Sequence, residues 1–272
     1  MRFPLIRAIL RVMAAPTILV FDSGLGGLTV FSEVVRLRPD ARYVYAADDA
    51  FFPYGTHESH ALRARVLEVM AGLIEAHAPD LVVVACNTAS TIVLPDLRAR
   101  FDVPFVGTVP AIKPACIASQ SKLVSVLGTQ ATVQREYTQA LIRDFAQDCD
   151  VTLVGSETLA TLAEASLRHE PVDDLDIAHQ ISPCFIERDG RRTDVVVLAC
   201  THFPLLIDRL VAIAPWPVDW LDPAEAIARR VVDLLGPPDS DLPPSPGQVV
   251  FSSGESPSPG LRLSLRQFGL DT

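Results

Sequence analysis

Two cysteines stand in matching places along this chain. Cys86 follows the apolar run 81–85 (LVVVA) and leads into Asn87-Thr88, and Cys200 follows the run 195–199 (VVVLA) and leads into Thr201-His202. A thiol just past a buried strand and before a helix start faces backbone N–H groups, which are expected to lower its pKa. Four chemistries compete for such a pair. Nucleophilic hydrolysis needs one cysteine with a histidine in reach, and His202 lies two positions after Cys200, but Cys86 then has no task. A redox pair is more usually spaced Cys-x-x-Cys. A zinc site of Cys86, Cys200 and His202 lacks the clustered spacing of such sites, so no metal is expected. Two-base proton transfer at a carbon uses both thiols, one removing a proton and the other delivering one to the opposite face. Only this last chemistry explains why the cysteine motif occurs twice.

The surrounding elements repeat as well. The run 18–21 meets a Gly-rich turn and a helical stretch to Arg38, which Pro39 stops. Leu62, Val66, Val69, Met70 and Leu73 recur at helical spacing before Pro79. The pattern restarts with the run 123–127, a Gly128-Thr129 turn, a predicted helix over about 133–146 and a strand at 151–154. The fully apolar runs read as strands covered on both faces. Repeated strand–loop–helix units imply α/β architecture: two similar lobes, each a mainly parallel sheet flanked by helices. The cysteines lie 114 positions apart, and Gly24 and Gly128 lie 104 apart. Ligands in open α/β sheets sit beyond the carboxyl ends of strands, so an active site is expected in the cleft between the lobes. The expected division is a first lobe of 17–110 plus 214–272 and a second of 111–213. The strand at 218–220, the helix at 224–235 and the tail are placed with the first lobe.

Composition narrows the function classes. The 272 residues are 49% apolar and 21% charged, the balance of a soluble globular protein. A chain of this size buries roughly 70–75% of its unfolded surface, so no disulfide or metal is needed to hold it together. The net charge of −10, with Lys113 and Lys122 the two lysines present, excludes the basic stripe of a nucleic-acid binder. No apolar run reaches a membrane span. Five cysteines, an odd count without a close pair, point to free thiols in a reducing compartment. Cys116, Cys149 and Cys184 read as ordinary core residues, and the histidines at 57, 60, 77, 169 and 179 as surface residues. Residues 1–16 are expected to be an upstream extension, with Met13 as a plausible start, and 236–247 a Pro/Ser-rich link. Gly24, Gly26 and Gly27 lack the spacing of a dinucleotide fingerprint.

The motifs then become specific. The segments 21–30 (FDSGLGGLTV), 52–55 (FPYG), 85–90 (ACNTAS) and 198–206 (LACTHFPLL) resemble, in order, four signatures of the glutamate racemase family. Weaker matches lie at 107–114 and 131–133, and the resemblance covers about 16–235 with an echo at 250–255. Phe51 departs from the family pattern. The related aspartate racemases are similar in fold and cysteine pair, but their second motif usually carries Thr-Glu where Thr201-His202 stands here.

The resemblance implies a cofactor-free enzyme, two lobes closing over glutamate and D-glutamate supplied for peptidoglycan. It implies that Cys86 acts on the D-enantiomer, assisted by Asp22, and Cys200 on the L-enantiomer, assisted by His202 and Glu164. Glu164 rests on the looser match 161–164 (TLAE). Binding is expected from Asp22, Ser23, Tyr54, Gly55, Asn87, Thr88, Thr201 and His202. No arginine or lysine lies in the four motifs, so neutral donors and helix N-termini must receive the substrate's carboxylates. Glutamate is the expected small-molecule partner, with a homodimer entertained. An aspartate racemase, a Cys-His hydrolase and a two-lobed amino-acid-binding protein stand as alternatives.

Overall fold

The computed structural model describes residues 15–243 and 245–272, so the reading of the first fourteen residues lies outside the described residues. The chain begins β1 (Thr17–Asp22), α1 (Leu28–Leu37) and β2 (Arg42–Ala47), with short 3-10 turns at Asp49–Phe51 and Tyr54–Thr56. Next come α2 (Ser59–His77), β3 (Leu81–Val84), α3 (Asn87–Arg100) and β4 (Phe105–Gly107). The following part holds α4 (Ile112–Ala118), β5 (Leu123–Thr129), a single turn α5 (Gln130–Val133), α6 (Glu136–Phe145) and β6 (Asp150–Ser156). It continues through α7 (Leu159–Leu167), α8 (Asp174–Ile181), a hairpin of β7 (Glu187–Arg188) and β8 (Arg191–Arg192), and β9 (Val195–Ala199). The last elements are α9 (Ile207–Ile213), β10 (Asp219–Leu221), α10 (Ala224–Leu235), β11 (Gly247–Phe251), α11 (Pro259–Gln267) and β12 (Leu270–Asp271).

Two parallel sheets result, ordered β12-β11-β2-β1-β3-β4 and β10-β9-β5-β6. Each is covered on both faces, which is why its strands read as unbroken apolar runs. Ile18 and Val20 of β1 face one core with Phe31 and Val34 of α1, while Leu19 and Phe21 face the other with Val66 and Met70 of α2. In the second sheet Leu127, Val196 and Leu198 face one core, and Val126, Val195 and Val197 the other.

The strand near 218–220 corrects the expected division. Asp219–Leu221 pairs in parallel with Val195–Val197, so β10 extends the second sheet rather than the first. The physical reason is connectivity: β9–α9–β10 is a short crossover unit, and consecutive elements prefer to be neighbours. The chain crosses afterwards, through α10, whose Ile227, Ala228 and Val231 join the core of the first sheet. The helix expected over 133–146 is also two pieces. Arg135 is extended between α5 and α6, and the Thr132 carbonyl at the break accepts from Thr138 Oγ1 at 2.7 Å and from Arg135 N–H at 3.4 Å.

Strand order fixes where ligands can go. From β1 the first sheet grows towards β2 on one side and β3 towards β4 on the other, so a crevice opens beyond the ends of β1 and β3. The second sheet repeats this between β5 and β9. Asp22 and Cys86 end the first pair of strands, and Thr129 and Cys200 end the second.

Candidate active site

The two crevices face one another across a narrow cavity of about 20 Å³, room for a single water molecule. Ser23, Tyr54, Gly55, Cys86, Asn87 and Thr88 line it from one side, and Thr129, Ala160, Cys200, Thr201 and His202 from the other. Both cysteines expected to act together therefore share one enclosure. Larger cavities lie elsewhere on the surface, away from the paired thiols.

Cys86 is the extended residue that starts α3, with its carbonyl accepting from Ser90 N–H at 2.8 Å. Its Sγ lies 3.7 Å from Ser23 Oγ. The expected lowering of this thiol's pKa does not hold in the closed structure. Burial, and then the neighbouring Asp22 carboxyl, push it well up, outweighing the Ala89 amide and the Ser23 hydroxyl. The Cys86 thiol is accordingly an acid in the closed enclosure, carrying its proton.

Asp22 is buried beside it. Its Oδ2 accepts from Gly24 N–H at 3.2 Å and Gly27 N–H at 3.0 Å, so it orders the Gly-rich loop. Its Oδ1 is buried with no partner. Burial raises its pKa, with the His202 charge and loop amides opposing. One carboxylate oxygen thus orders the loop, and the other is left without a hydrogen-bond partner in the protein.

Cys200 has a different support. His202 Nδ1 lies 3.9 Å from its Sγ, and His202 Nε2 lies 3.0 Å from Glu164 Oε1. Glu164 Oε1 also accepts from Leu25 N–H at 2.6 Å, and Oε2 meets Arg168 at 3.1 Å. Burial would lower the His202 pKa, but Cys200, Glu164 and Asp22 together hold it well above the ordinary histidine value. Burial would raise Glu164, yet the His202 hydrogen bond and charge hold it below the usual carboxylate value. Both shifts describe one pair, an imidazolium and a carboxylate. Gly26 N–H also points at His202 Nε2, at 3.1 Å. A protonated Nε2 cannot accept, so Nε2–H donates to Glu164 Oε1 and the Gly26 approach is a close contact.

The residues expected from sequence to bind substrate divide. Asn87 lines the cavity and is buried with both Oδ1 and Nδ2 lacking a hydrogen-bond partner in the protein. Thr88 Oγ1 is within 3.3 Å of Thr129 Oγ1 and 3.2 Å of Thr132 Oγ1, a hydroxyl cluster that bridges the two sheets. The Tyr54 hydroxyl is spent on Asp48 Oδ2 at 2.6 Å, and Arg65 grips the same carboxylate, so its ring rather than its hydroxyl forms the wall. Gly55 stands where a Cβ would come 3.3 Å from the Thr129 Cβ. Thr201 lines the cavity while its carbonyl accepts from Thr29 Oγ1 at 3.3 Å.

Thr129, Phe52 and Arg168 were not among the residues expected from sequence. Thr129 was within reach, since the Gly128-Thr129 turn corresponds to Asp22-Ser23-Gly24. Phe52 packs its ring 5.3 Å from that of His202, a contact that sequence spacing does not announce. Among the described residues no cluster of three or more His, Cys, Asp or Glu side chains could hold a metal ion. No helix among them is long and apolar enough to cross a membrane.

The chain's residues 27–231 match the model of the family described as Asp/Glu/hydantoin racemase. It is 56% identical over 256 residues to the glutamate racemase of Brucella anthropi, covering 93% of this chain and 92% of that one. The solved structure of Escherichia coli glutamate racemase, in complex with L-glutamate and the activator UDP-MurNAc-Ala, is similar with a TM-score of 0.86 and 39% identity. That match covers 94% of this chain and 96% of the other. A glutamate racemase of Bacillus anthracis matches with a TM-score of 0.77 and 26% identity, over 95% and 97% of the two chains.

Proposed function

The chain belongs to the Asp/Glu/hydantoin racemase family, and from that premise we propose that it interconverts L- and D-glutamate without a cofactor. The observation that carries this reading is the placement of Cys86 and Cys200 at equivalent strand ends of two sheets, facing one narrow cavity. The similarity to glutamate racemases over more than nine-tenths of the chain supports glutamate over aspartate. Its D-glutamate would feed peptidoglycan synthesis, in the cytoplasm.

In the L-to-D direction Cys200, as a thiolate, takes the Cα proton of L-glutamate, leaving a carbanion whose charge spreads into the α-carboxylate. The Cys86 thiol then gives its proton to the opposite face, and D-glutamate forms. The roles reverse for the other enantiomer. The imidazolium of His202 and the carboxylate of Glu164 manage the proton at Cys200, and Asp22 does so at Cys86. Closure supplies desolvation and placement of both sulfurs, the effects on which weak carbon acids depend. A cavity of about 20 Å³ does not hold an amino acid, so the lobes must part to admit it.

Neutral donors receive the substrate's carboxylates. The unpaired amide of Asn87 is the strongest of them, because a buried donor without a partner is already desolvated. Asn87→Ala is expected to raise KM by roughly 10- to 100-fold, the worth of a hydrogen bond to a charged group. Steady-state kinetics in both directions check this, and an unchanged KM would remove Asn87 from binding.

Cys200, His202 and Glu164 also form a thiol–imidazole–carboxylate line, which favours hydrolysis as the second reading. Incubation with L-glutamate and separately with D-glutamate in D₂O distinguishes the two. Racemisation with deuterium at Cα is the expected result. A hydrolase leaves the Cα hydrogen in place, and absence of exchange from both enantiomers would overturn the racemase reading.

A further inference from the structure

A line of side chains runs outward from the Cys200 thiol. His202 follows Cys200, Glu164 follows His202, and Arg168 Nη2 donates to the far oxygen of Glu164, Oε2, at 3.1 Å. The near oxygen, Oε1, accepts from His202 Nε2 at 3.0 Å and from the Leu25 amide at 2.6 Å. The Glu164 side chain is 7% exposed and that of Arg168 33%, so the guanidinium closes the line at its outer end. Arg168 does not line the cavity, and an arginine that never gives up its proton is neither the acid nor the base of the reaction.

The place of Arg168 is itself built. Glu164 lies in the last turn of α7, where the helix's carbonyl end disfavours a carboxylate and favours a cation. Arg168 caps that helix four residues on, the spacing that puts two side chains on one face. The chain then turns through His169, at a φ of +60°. The C-terminal helix α11 presses on this turn. Ser264 Oγ is buried, donates to Leu167 O at 2.7 Å and lies 3.2 Å from His169 Nε2. A Cβ on Gly260 would stand 2.7 Å from Arg168 O, so the backbone of α11 lies directly against that carbonyl. Leu167 packs on the core that holds Leu261 and Leu265 of α11. The helix end that carries Arg168 is therefore fixed from two sides.

Charge alone does not explain the contact. Among the influences that hold Glu164 ionised against its burial, the His202 hydrogen bond and charge come first, then the Leu25 amide, and the Arg168 charge last. A carboxylate can swing about its side-chain torsions, however, and Oε1 serves the relay only while it faces His202. We propose that Arg168 is a positioning residue: by holding Oε2 it keeps Oε1 on His202 Nε2, and so keeps Nδ1 towards Cys200. The proposal rests on the racemase reading for its effect on turnover, but not for its effect on the His202–Glu164 hydrogen bond.

The test compares Arg168→Met, which keeps an unbranched stem and removes the cation, with Arg168→Lys, which restores it. For Arg168→Met, kcat is expected to fall about tenfold from either enantiomer, the low end of what a hydrogen bond to a charged group is worth, with KM within about twofold. Arg168→Lys should stay within about threefold of the unaltered protein, because Glu164 Oε2 receives a single donor and an ammonium can supply one. Proton NMR of substrate-free protein labelled with heavy nitrogen at histidine gives a readout that needs no activity. The His202 Nε2 proton, bound to a carboxylate, should lie downfield of the other imidazole protons, persist in Arg168→Lys, and shift upfield or vanish in Arg168→Met. The ion pair is partly exposed and adds little stability, so the thermal midpoint should hold within a few degrees. The proton signal, read well below the midpoint, decides even if the midpoint falls. An unchanged kcat in Arg168→Met, an equal loss in Arg168→Lys, or a His202 proton unmoved by Arg168→Met would overturn the proposal. If the unaltered protein racemises neither enantiomer, the racemase reading falls, and the proton signal alone decides whether Arg168 holds Glu164.

Discussion

Serine at position 86 or at position 200 is expected to reduce racemisation in both directions by at least about 10³-fold, at the upper end of what a single general acid or base contributes. The substitution changes little in volume, but a hydroxyl ionises far less readily than a thiol, so at neutral pH it supplies no anionic base to take the Cα proton and is a poorer acid to return one. Because each cysteine serves one face of Cα, the two variants should differ in what remains. Cys86→Ser keeps Cys200 with His202 and Glu164 behind it, and should still wash the Cα hydrogen out of L-glutamate without inverting it. Cys200→Ser should do the same to D-glutamate. Proton NMR in D₂O on each enantiomer reads both outcomes. A Cys86→Ser enzyme that racemises within tenfold of the unaltered protein would sink the two-base arrangement, as would exchange of the same enantiomer by both variants. A Cys-His hydrolase would tolerate the loss of Cys86 altogether.

The legible part of this site was what repetition and polarity reveal. The runs 81–85 and 195–199 are apolar without alternation because helices cover both faces of each sheet, and the cysteines sit at their ends because that is where open sheets bind ligands. Asn87 was legible as a candidate, although only the structure shows that its amide lacks a partner. Other features depend on contacts across more than a hundred residues. The hydrogen bond from Leu25 to Glu164 and the packing of Phe52 on His202 leave no trace in local spacing. The pKa of Cys86 is not legible in local spacing, because burial and then the Asp22 carboxyl outweigh the helix start that the sequence shows. Strand β10 was misplaced because three half-exposed residues carry too little pattern to choose between two sheet edges.

The Gly-rich loop supplies the second large effect. Leu25 N–H donates to Glu164, Gly26 presses against His202, and Thr29 Oγ1 reaches Thr201 O, so the loop beyond β1 closes directly onto the relay behind Cys200. A Cβ on Gly26 would stand 2.5 Å from the His202 backbone nitrogen and 2.5 Å from its Cγ. Backbone and a buried ring cannot both yield, and Gly26 has no left-handed φ, so the obstacle is space and not conformation. An alanine is therefore compatible with the loop itself and incompatible with the closed pair of lobes. Gly26→Ala is expected to lower kcat/KM by at least about 100-fold in both directions, the scale of loss from displacing a catalytic group by an ångström. Its thermal midpoint should stay within a few degrees of the unaltered protein, because parting the lobes relieves the clash without opening either core. Gly72→Ala, in the exposed middle of α2 with nothing within 4 Å of the added carbon, is the control and should keep full activity. If Gly26→Ala raised activity, or left it unchanged, closure of this loop on His202 would not be part of catalysis. If it lost activity only by unfolding, the lobes would be one cooperative body in which the cleft cannot open on its own.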